Sequence, residues 1–404
     1  MTDQTTEKPL SGFEVRVGDY EVPERAEDYL LQVLRSGRLS HGPFSKAFEL
    51  AFGERHGAHY TAFCNSGTSA LHTAIACLKE IDGWEDGDEI LVPAVTFVAT
   101  SNMVILNALN PVFVDVDSRT YNIDPDQIES KISERTRAIL PVHLFGQPAQ
   151  MSTICDIAQK HDLRVIEDSA ETMFASHQGK PVGAWGDLAC FSTYVAHMLI
   201  TGVGGFVLTN DPEMAKISKS IINHGRDSIY LNIDDQGDTV DERLKIAEGR
   251  FNFVRFGHSF RATEFEAAVG LAQLEEADTL VVRRKTTASR LIEGLSTFSE
   301  SIQLPWWPED TEHAFMMFPI VIRDSALRKL DLIGHLERNG IETRDMMPLL
   351  NQPIYVDKFG LLEDAYPVAK WINASGFYIG CHPYMGDEQV DHVLETFRQF
   401  FKRV

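Results

Sequence analysis

Hydrophobic positions along the chain follow two rhythms that alternate. Over residues 24–36 and 43–56 they recur at the 3.6-residue spacing of amphipathic helices. Gly37 stops the first helix, and Phe44, Ala47, Phe48, Ala51 and Phe52 share one face of the second. Residues 60–64 are a short apolar run, 65–69 (Asn-Ser-Gly-Thr-Ser) a turn, and 70–79 helical again. That unit of strand, polar turn and helix then recurs. Strands are predicted at 89–92, 112–116, 138–143, 164–167, 188–193 and 205–208, with helices near 97–108 and 150–161. Strands alternating with helices predict a mostly parallel sheet covered on both faces.

Near residue 226 the pattern changes. Residues 227–249 are polar and charged and read as a loop. Residues 263–282 read as one long helix with Ala267, Ala268, Leu271 and Leu274 on its apolar stripe. Beyond Pro305, strand-like runs mixed with helices suggest a smaller α+β unit. The expected division is a tail at 1–20, a large α/β domain at 21–250 and a smaller α+β domain at 251–404. No internal repeat or low-complexity segment is evident.

Composition narrows the class. The chain has 404 residues, 44% hydrophobic and 24% charged, as in ordinary globular proteins. With 59 acidic and 37 basic side chains, its formal charge is −22. Such a surface repels phosphate backbones and anionic lipid heads, so neither nucleic acid nor membrane is an expected partner. Two uncharged stretches, 90–114 and 190–210, are broken by prolines, asparagines, His197 and glycines, and read as strand and turn rather than as membrane spans. Five scattered cysteines without a CxxC pair suggest a reducing, cytoplasmic setting. No set of residues has metal-ligand spacing; His56 and His59 lack a carboxylate or thiol companion.

Four local motifs carry possible chemistry, and each alone has a plain structural explanation. Ser66-Gly67-Thr68-Ser69 opens a helix, where free N–H groups attract anions, or it is simply a helix cap. Thr96-Phe97 follows a strand and offers an aromatic for stacking, or a core residue. Asp168, at the end of a short β-run, suits a protonated heterocyclic nitrogen, or caps the next helix. Ser192 and His197 sit in a polar turn after another strand.

Read in order, these motifs resemble fold type I pyridoxal-phosphate enzymes, and more narrowly the DegT-like sugar aminotransferase family. Further residues carry the resemblance: Gly37-Arg38-Leu39-Ser40-His41-Gly42-Pro43, Pro141-Val142-His143-Leu144-Phe145-Gly146, Gly257-His258-Ser259-Phe260-Arg261 and Ile341-Glu342-Thr343-Arg344. It spans roughly residues 20–390 and implies a three-layer α/β fold. It also implies that Gly67, Thr68 and Ser192 hold the cofactor phosphate, that Phe97 stacks on the pyridine ring and that Asp168 pairs with the ring nitrogen. Ser259 stands where relatives usually have an Asn that reaches the phosphate of a neighbouring subunit. Glu171 stands where they often have Gln. A homodimer with shared active sites is implied, with a nucleotide-sugar substrate and glutamate as amino donor. Arg261 and Arg344 either meet the diphosphate or the glutamate carboxylate, or form structural ion pairs.

One departure outweighs the rest. The family's lysine, five residues after the Ser of the third motif, is here His197, and the nearest lysines in sequence are Lys180 and Lys216. Imidazole forms no stable imine with the cofactor aldehyde, yet it moves protons well. The resemblance is therefore to the His-for-Lys sugar 3-dehydrase branch. Pyridoxamine or pyridoxal phosphate would be held non-covalently, and a keto sugar would lose oxygen rather than gain nitrogen. The scattered cysteines match the branch without an iron–sulfur cluster. Met198 and Val203 depart from that branch's usual residues. Two alternatives stand beside this reading: an aminotransferase that lost its lysine naturally or by mutation, and a non-catalytic relative that only binds cofactor or sugar.

Overall fold

The computed structural model describes residues 12, 14–227, 239–241, 243–244 and 251–402. Most of the polar stretch 227–249, the division point at 250 and most of the first thirteen residues lie outside the described residues.

Seven strands form the central sheet: β1 (Tyr60–Cys64), β2 (Glu89–Pro93), β3 (Asn110–Val114), β4 (Thr136–Ile139), β5 (Arg164–Asp168), β6 (Leu188–Ser192) and β7 (Gly205–Thr209). Their order is β1-β7-β6-β5-β4-β2-β3. Only β7 runs antiparallel to its neighbours; the other adjacent pairs are parallel. Successive residues of one strand serve opposite faces. Ile90 and Val92 join one apolar cluster while Leu91 joins another, and Ile166 and Val165 divide in the same way. Burial on both faces explains why these strands read as continuous apolar runs rather than as alternation. Residues 90–114 are thus strand, helix and strand, and among the described residues no helix is long and apolar enough to cross a membrane.

A second sheet, all antiparallel, comprises β8 (Ile302–Gln303), β9 (Met317–Ile322), β10 (Thr343–Asp345) and β11 (Gly376–Gly380) in the order β8-β9-β11-β10. It shares a separate core with Leu291, Leu336, Val393 and Phe397. The N-terminal stretch contributes to that core. Val15 bridges Ile341, the Glu14 and Val15 amides bond to the Gly340 carbonyl, and Val15 is fully buried.

The single helix expected over 263–282 is two helices, Glu264–Glu275 and Ala277–Leu295, joined at Glu276 (φ −100°, ψ 0°). The break lets each half pack differently. The first lies against the helices Ala26–Ser36 and Pro43–Arg55, the second against Asp387–Phe401. Glu264, fully buried, caps a helix distant in sequence. Its carboxylate accepts hydrogen bonds from the amides of Gly42 (2.7 Å), Phe44 (2.9 Å) and Ser45 (2.8 Å) and from the Ser45 hydroxyl. These are orphan donors at the start of helix Pro43–Arg55, whose Ncap glycine has no side chain to supply an acceptor. A Cβ at Gly42 would lie 2.7 Å from the same carboxylate. Glu264→Ala is therefore expected to cost roughly 2–4 kcal/mol, read as a lower denaturant midpoint at unchanged slope.

Candidate active site

The carboxyl ends of β1, β6 and β5 converge through their pairing registers. Cys64 and Ser192 both face Gly205 across β7, and Asp168 faces Cys190 on β6. Motifs more than a hundred residues apart thus meet at one edge, the usual ligand position in open α/β sheets.

The turn after β1 packs directly on the end of β6. Ser66 caps helix Gly67–Asp82 by accepting from the Ser69 amide at 3.0 Å. A Cβ at Gly67 would lie 2.6 Å from the Ser192 Cβ, and one at Gly205 would lie 2.5 Å from the Ser66 carbonyl carbon. Glycine at both positions is what lets the helix N-terminus and the Ser192 hydroxyl share one spot. Thr68 is exposed beside them.

Asp168 ends β5 and is only 3% exposed. Oδ2 accepts from the Thr100 hydroxyl at 2.8 Å and Oδ1 from the Ala170 amide at 3.1 Å. The Thr100 hydroxyl is itself 2.7 Å from that of Thr96. Burial raises the Asp168 carboxyl above the usual range, and these donors work against it. One residue earlier, the buried Glu167 carboxylate anchors the strand end. It binds His143 Nε2 at 3.0 Å and the amides of Gly183, Trp185 and Gly186 at 2.7–2.8 Å. His143 Nδ1 accepts the Ala149 amide, and the His143 amide bonds to the Asp168 carbonyl. Phe97, which opens helix Val98–Leu106 after β2, is 59% exposed.

His197 lies in the turn joining β6 to β7. That turn is closed by a Thr193–Thr201 hydroxyl pair at 2.5 Å and by the His197 amide bonding to the Tyr194 carbonyl at 2.9 Å. The imidazole Nδ1 is buried without a hydrogen-bond partner. Burial pushes the imidazole down to about 4, partly offset by the nearby Ser192 backbone. At neutral pH the ring is therefore an uncharged base.

Segment 257–261 docks on the end of β1. The Asn65 amide bonds to the Phe260 carbonyl at 2.7 Å, and Arg261 bridges Cys64. Ser259 is exposed, and its hydroxyl accepts from Arg261 Nη2 at 3.1 Å; the same nitrogen lies 3.2 Å from His224 Nε2. Ser259 and Arg261 thus join the β1 end. Arg344 does not: it sits on the second sheet, ion-paired with Glu342 and bonded to the Thr343 carbonyl. A polar cavity of about 610 Å³ near the amino ends of β4 and β5 lies away from this chemistry, and its arginines are committed, Arg164 to Asp82 and Asp187, Arg137 to Asp88.

Sequence reasoning missed Thr100 as the partner of Asp168. The available signal was the four-residue spacing of Thr96 and Thr100, which puts both hydroxyls on one side of a helix start. His143, part of one of the motifs that carry the resemblance, is buried and paired with Glu167.

These residues fit a phosphate-bearing nitrogen heterocycle. A helix N-terminus stands beside two hydroxyls, an exposed aromatic and a buried carboxylate, and Asn65 Oδ1, Ser169 Oγ and His197 Nδ1 are buried polar atoms without partners. Fold and site together define an α/β enzyme of the fold type I class. The chain belongs to the DegT/DnrJ/EryC1/StrS aminotransferase family, whose model matches residues 21–398. It is 32% identical over 375 residues to a GDP-perosamine synthase of Caulobacter vibrioides, covering 92% of this chain and 94% of that protein. It is 31% identical over 379 residues to a dTDP-4-dehydro-2,6-dideoxy-D-glucose 3-dehydratase of Saccharopolyspora spinosa, covering 90% and 81%. In structure it resembles an Escherichia coli GDP-4-keto-6-deoxy-D-mannose-3-dehydratase with bound hydrated PLP, with a TM-score of 0.86, 25% identity, and 95% and 99% of the two chains covered.

Gly67→Ala tests the close approach. Forcing a methyl against Ser192 is expected to cost about 1–3 kcal/mol of stability, measured by chemical denaturation, and Gly67→Ala with Ser192→Gly should recover part of it.

Proposed function

We propose that the chain is a 3-dehydratase of nucleotide-activated 4-keto-6-deoxy sugars, with His197 as its proton-transfer base. The cofactor is pyridoxal or pyridoxamine phosphate, which supplies an amine to condense with a ketone and a ring to accept electrons. The observation that carries the reading is an imidazole, its Nδ1 buried and unpartnered, where the family has lysine. Among the described residues, Lys180 lies over Trp185 and Lys216 is exposed on the helix Pro212–Ile222, so neither stands in the turn of His197. The names of the 3-dehydratase relatives support this reading.

Each residue then has a task. The Gly67 amide, Thr68 and Ser192 would hold the phosphate. Phe97 would stack on the ring. Asp168, as a carboxylate, keeps a proton on the ring nitrogen. His197 takes a proton at Nδ1 or Nε2 and returns it, and because it makes no lasting imine the cofactor is held non-covalently. Arg261 and Arg344 offer positive charge to the diphosphate or to the carboxylate of glutamate, the proposed amino donor. The sugar loses one oxygen, glutamate becomes 2-oxoglutarate, and ammonia leaves, so the overall exchange balances.

We also propose a homodimer with shared sites. Tyr194, Val195, Val203, Phe251, Phe253 and Phe256 are exposed large apolar side chains on the turn of His197 and on the segment leading to Ser259. In that dimer Ser259, exposed beside them, would serve the partner's phosphate. Five free thiols, four of them buried, favour a reducing compartment such as the cytoplasm.

Transamination is the second reading, favoured by the likeness to GDP-perosamine synthase. The deciding experiment supplies pyridoxamine phosphate, glutamate and nucleotide-4-keto-6-deoxy sugars, and weighs the products. Loss of oxygen with ammonia release is expected; gain of an amine by the native chain overturns the dehydratase reading. His197→Lys is expected to divert product toward an amino sugar and to create an imine reducible by borohydride. His197→Asn should lower turnover by roughly 10²–10⁴-fold with cofactor still bound. Because burial depresses the imidazole, activity should hold as pH falls through 6.5 and fail only on approach to about 4, where His197 gains a proton.

A further inference from the structure

A hydroxyl, an imidazole and a carboxylate meet outside the residues assigned to the cofactor. The imidazole is His177, 3% exposed, on the short strand Ser176–His177 of a three-stranded antiparallel sheet. The pairing register sets it opposite Thr311 on the strand Thr311–Glu312. Its Nδ1 lies 3.1 Å from the Thr311 hydroxyl and 4.0 Å from Asp310 Oδ1. Its Nε2 lies 2.9 Å from the hydroxyl of Ser152, in the first turn of helix Met151–Lys160.

The direction of each hydrogen bond follows from the carboxylate end, because an ionised carboxylate only accepts. The Thr311 hydroxyl donates to Asp310 Oδ1 at 3.3 Å, so its oxygen accepts from His177 Nδ1–H. A neutral imidazole with its proton on Nδ1 keeps a lone pair on Nε2, which accepts from the Ser152 hydroxyl. Burial lowers the imidazole from its ordinary value while Asp310 works against it, so the ring is neutral at pH 7. Asp310 is itself held by Gln178, whose amide bonds to the Asp310 carbonyl at 2.6 Å and whose Nε2 bonds to Oδ2 at 3.1 Å.

Ser152 is partly exposed, and Thr153 beside it is exposed. Their helix has no side-chain cap at Gln150 and no acid in its first turn. The amides of Ser152 and Thr153 are thus left without a helical acceptor, on the side where an oxyanion would develop. The Cys155 thiol, on the same helix, is no rival nucleophile, since burial raises it to about 11.

We infer that Ser152 is an activated nucleophile with His177 as its base, giving the chain a second activity, hydrolysis of small activated carboxylic esters. Ser152 Oγ attacks the acyl carbon while its proton passes to His177 Nε2. The bond to the leaving alcohol breaks, and the alcohol oxygen takes that proton. Water then attacks the acyl group and gives a proton to His177. The carboxylic acid leaves as Ser152 Oγ takes the proton back. Ester and water become acid and alcohol, with no change of oxidation state. Thr311 and Asp310 are positioning residues that hold the tautomer with a free Nε2.

The test follows p-nitrophenolate release from p-nitrophenyl acetate by the full chain loaded with pyridoxamine phosphate. Ser152→Ala is expected to lower kcat/KM about tenfold or more, His177→Gln by a similar factor, and the double variant no further, because the pair acts as a unit. Thr311→Val should also lower it, while Thr311→Ser, which keeps the hydroxyl, should stay near wild type. A fluorophosphonate should leave one adduct, on Ser152, located by digestion and mass spectrometry, and His177→Gln should abolish it. Hydrolysis unchanged by Ser152→Ala overturns the inference, as does an adduct on a lysine or on Cys155 in place of Ser152. If the variants fail to fold, the wild type alone decides, and absence of the Ser152 adduct overturns the inference. The cofactor reading uses none of these residues and stands or falls separately.

Discussion

A carboxylate taken out of water without a cation survives only if donors replace the solvent it lost, and much of this molecule serves that requirement at Asp168. The Thr100 hydroxyl and the Ala170 amide reach its two oxygens. Behind them, Glu167 gathers one imidazole and three amides and holds the end of β5 in place. A parallel strand ending in a free, buried acid would be costly as pure structure. In the proposed function a protonated ring nitrogen would complete the charge balance.

The phosphate end obeys a different constraint, one of space rather than charge. A helix N-terminus and a serine from another strand must share a spot too small for a side chain. Gly67 and Gly205 meet that demand by lacking Cβ atoms, and the antiparallel β7 makes it possible by standing between β1 and β6. In the proposed function, charge and space together would orient the cofactor before His197 acts on it, and the base would contribute through its neutrality. The same burial that would make a lysine less willing to carry charge leaves imidazole uncharged and ready to accept a proton.

The two sheets have separate cores, yet the chain ties them repeatedly. The N-terminal residues 14–15 pair beside β10, and the helices on either side of Glu276 pack one on each unit. The second sheet, with Arg344 on its β10, is therefore tied to the first by shared helices and by the N-terminal stretch.

The order of strands and helices was legible along the chain because a strand buried on both faces leaves a short, continuous apolar run. The positions of Gly67, Asp168, Ser192 and His197 were legible because each sits at the end of such a run. The substitution of imidazole for lysine was plain from residue identity alone. The chain did not disclose that β7 runs against its neighbours, that residues 263–282 break at Glu276, or that Glu264 caps a helix two hundred residues away. Nor did it show that Thr100, and not a base, supports Asp168. Each of these depends on which groups meet across long sequence separations. Local propensity reports what a segment buries, and only the folded chain decides what it is buried against.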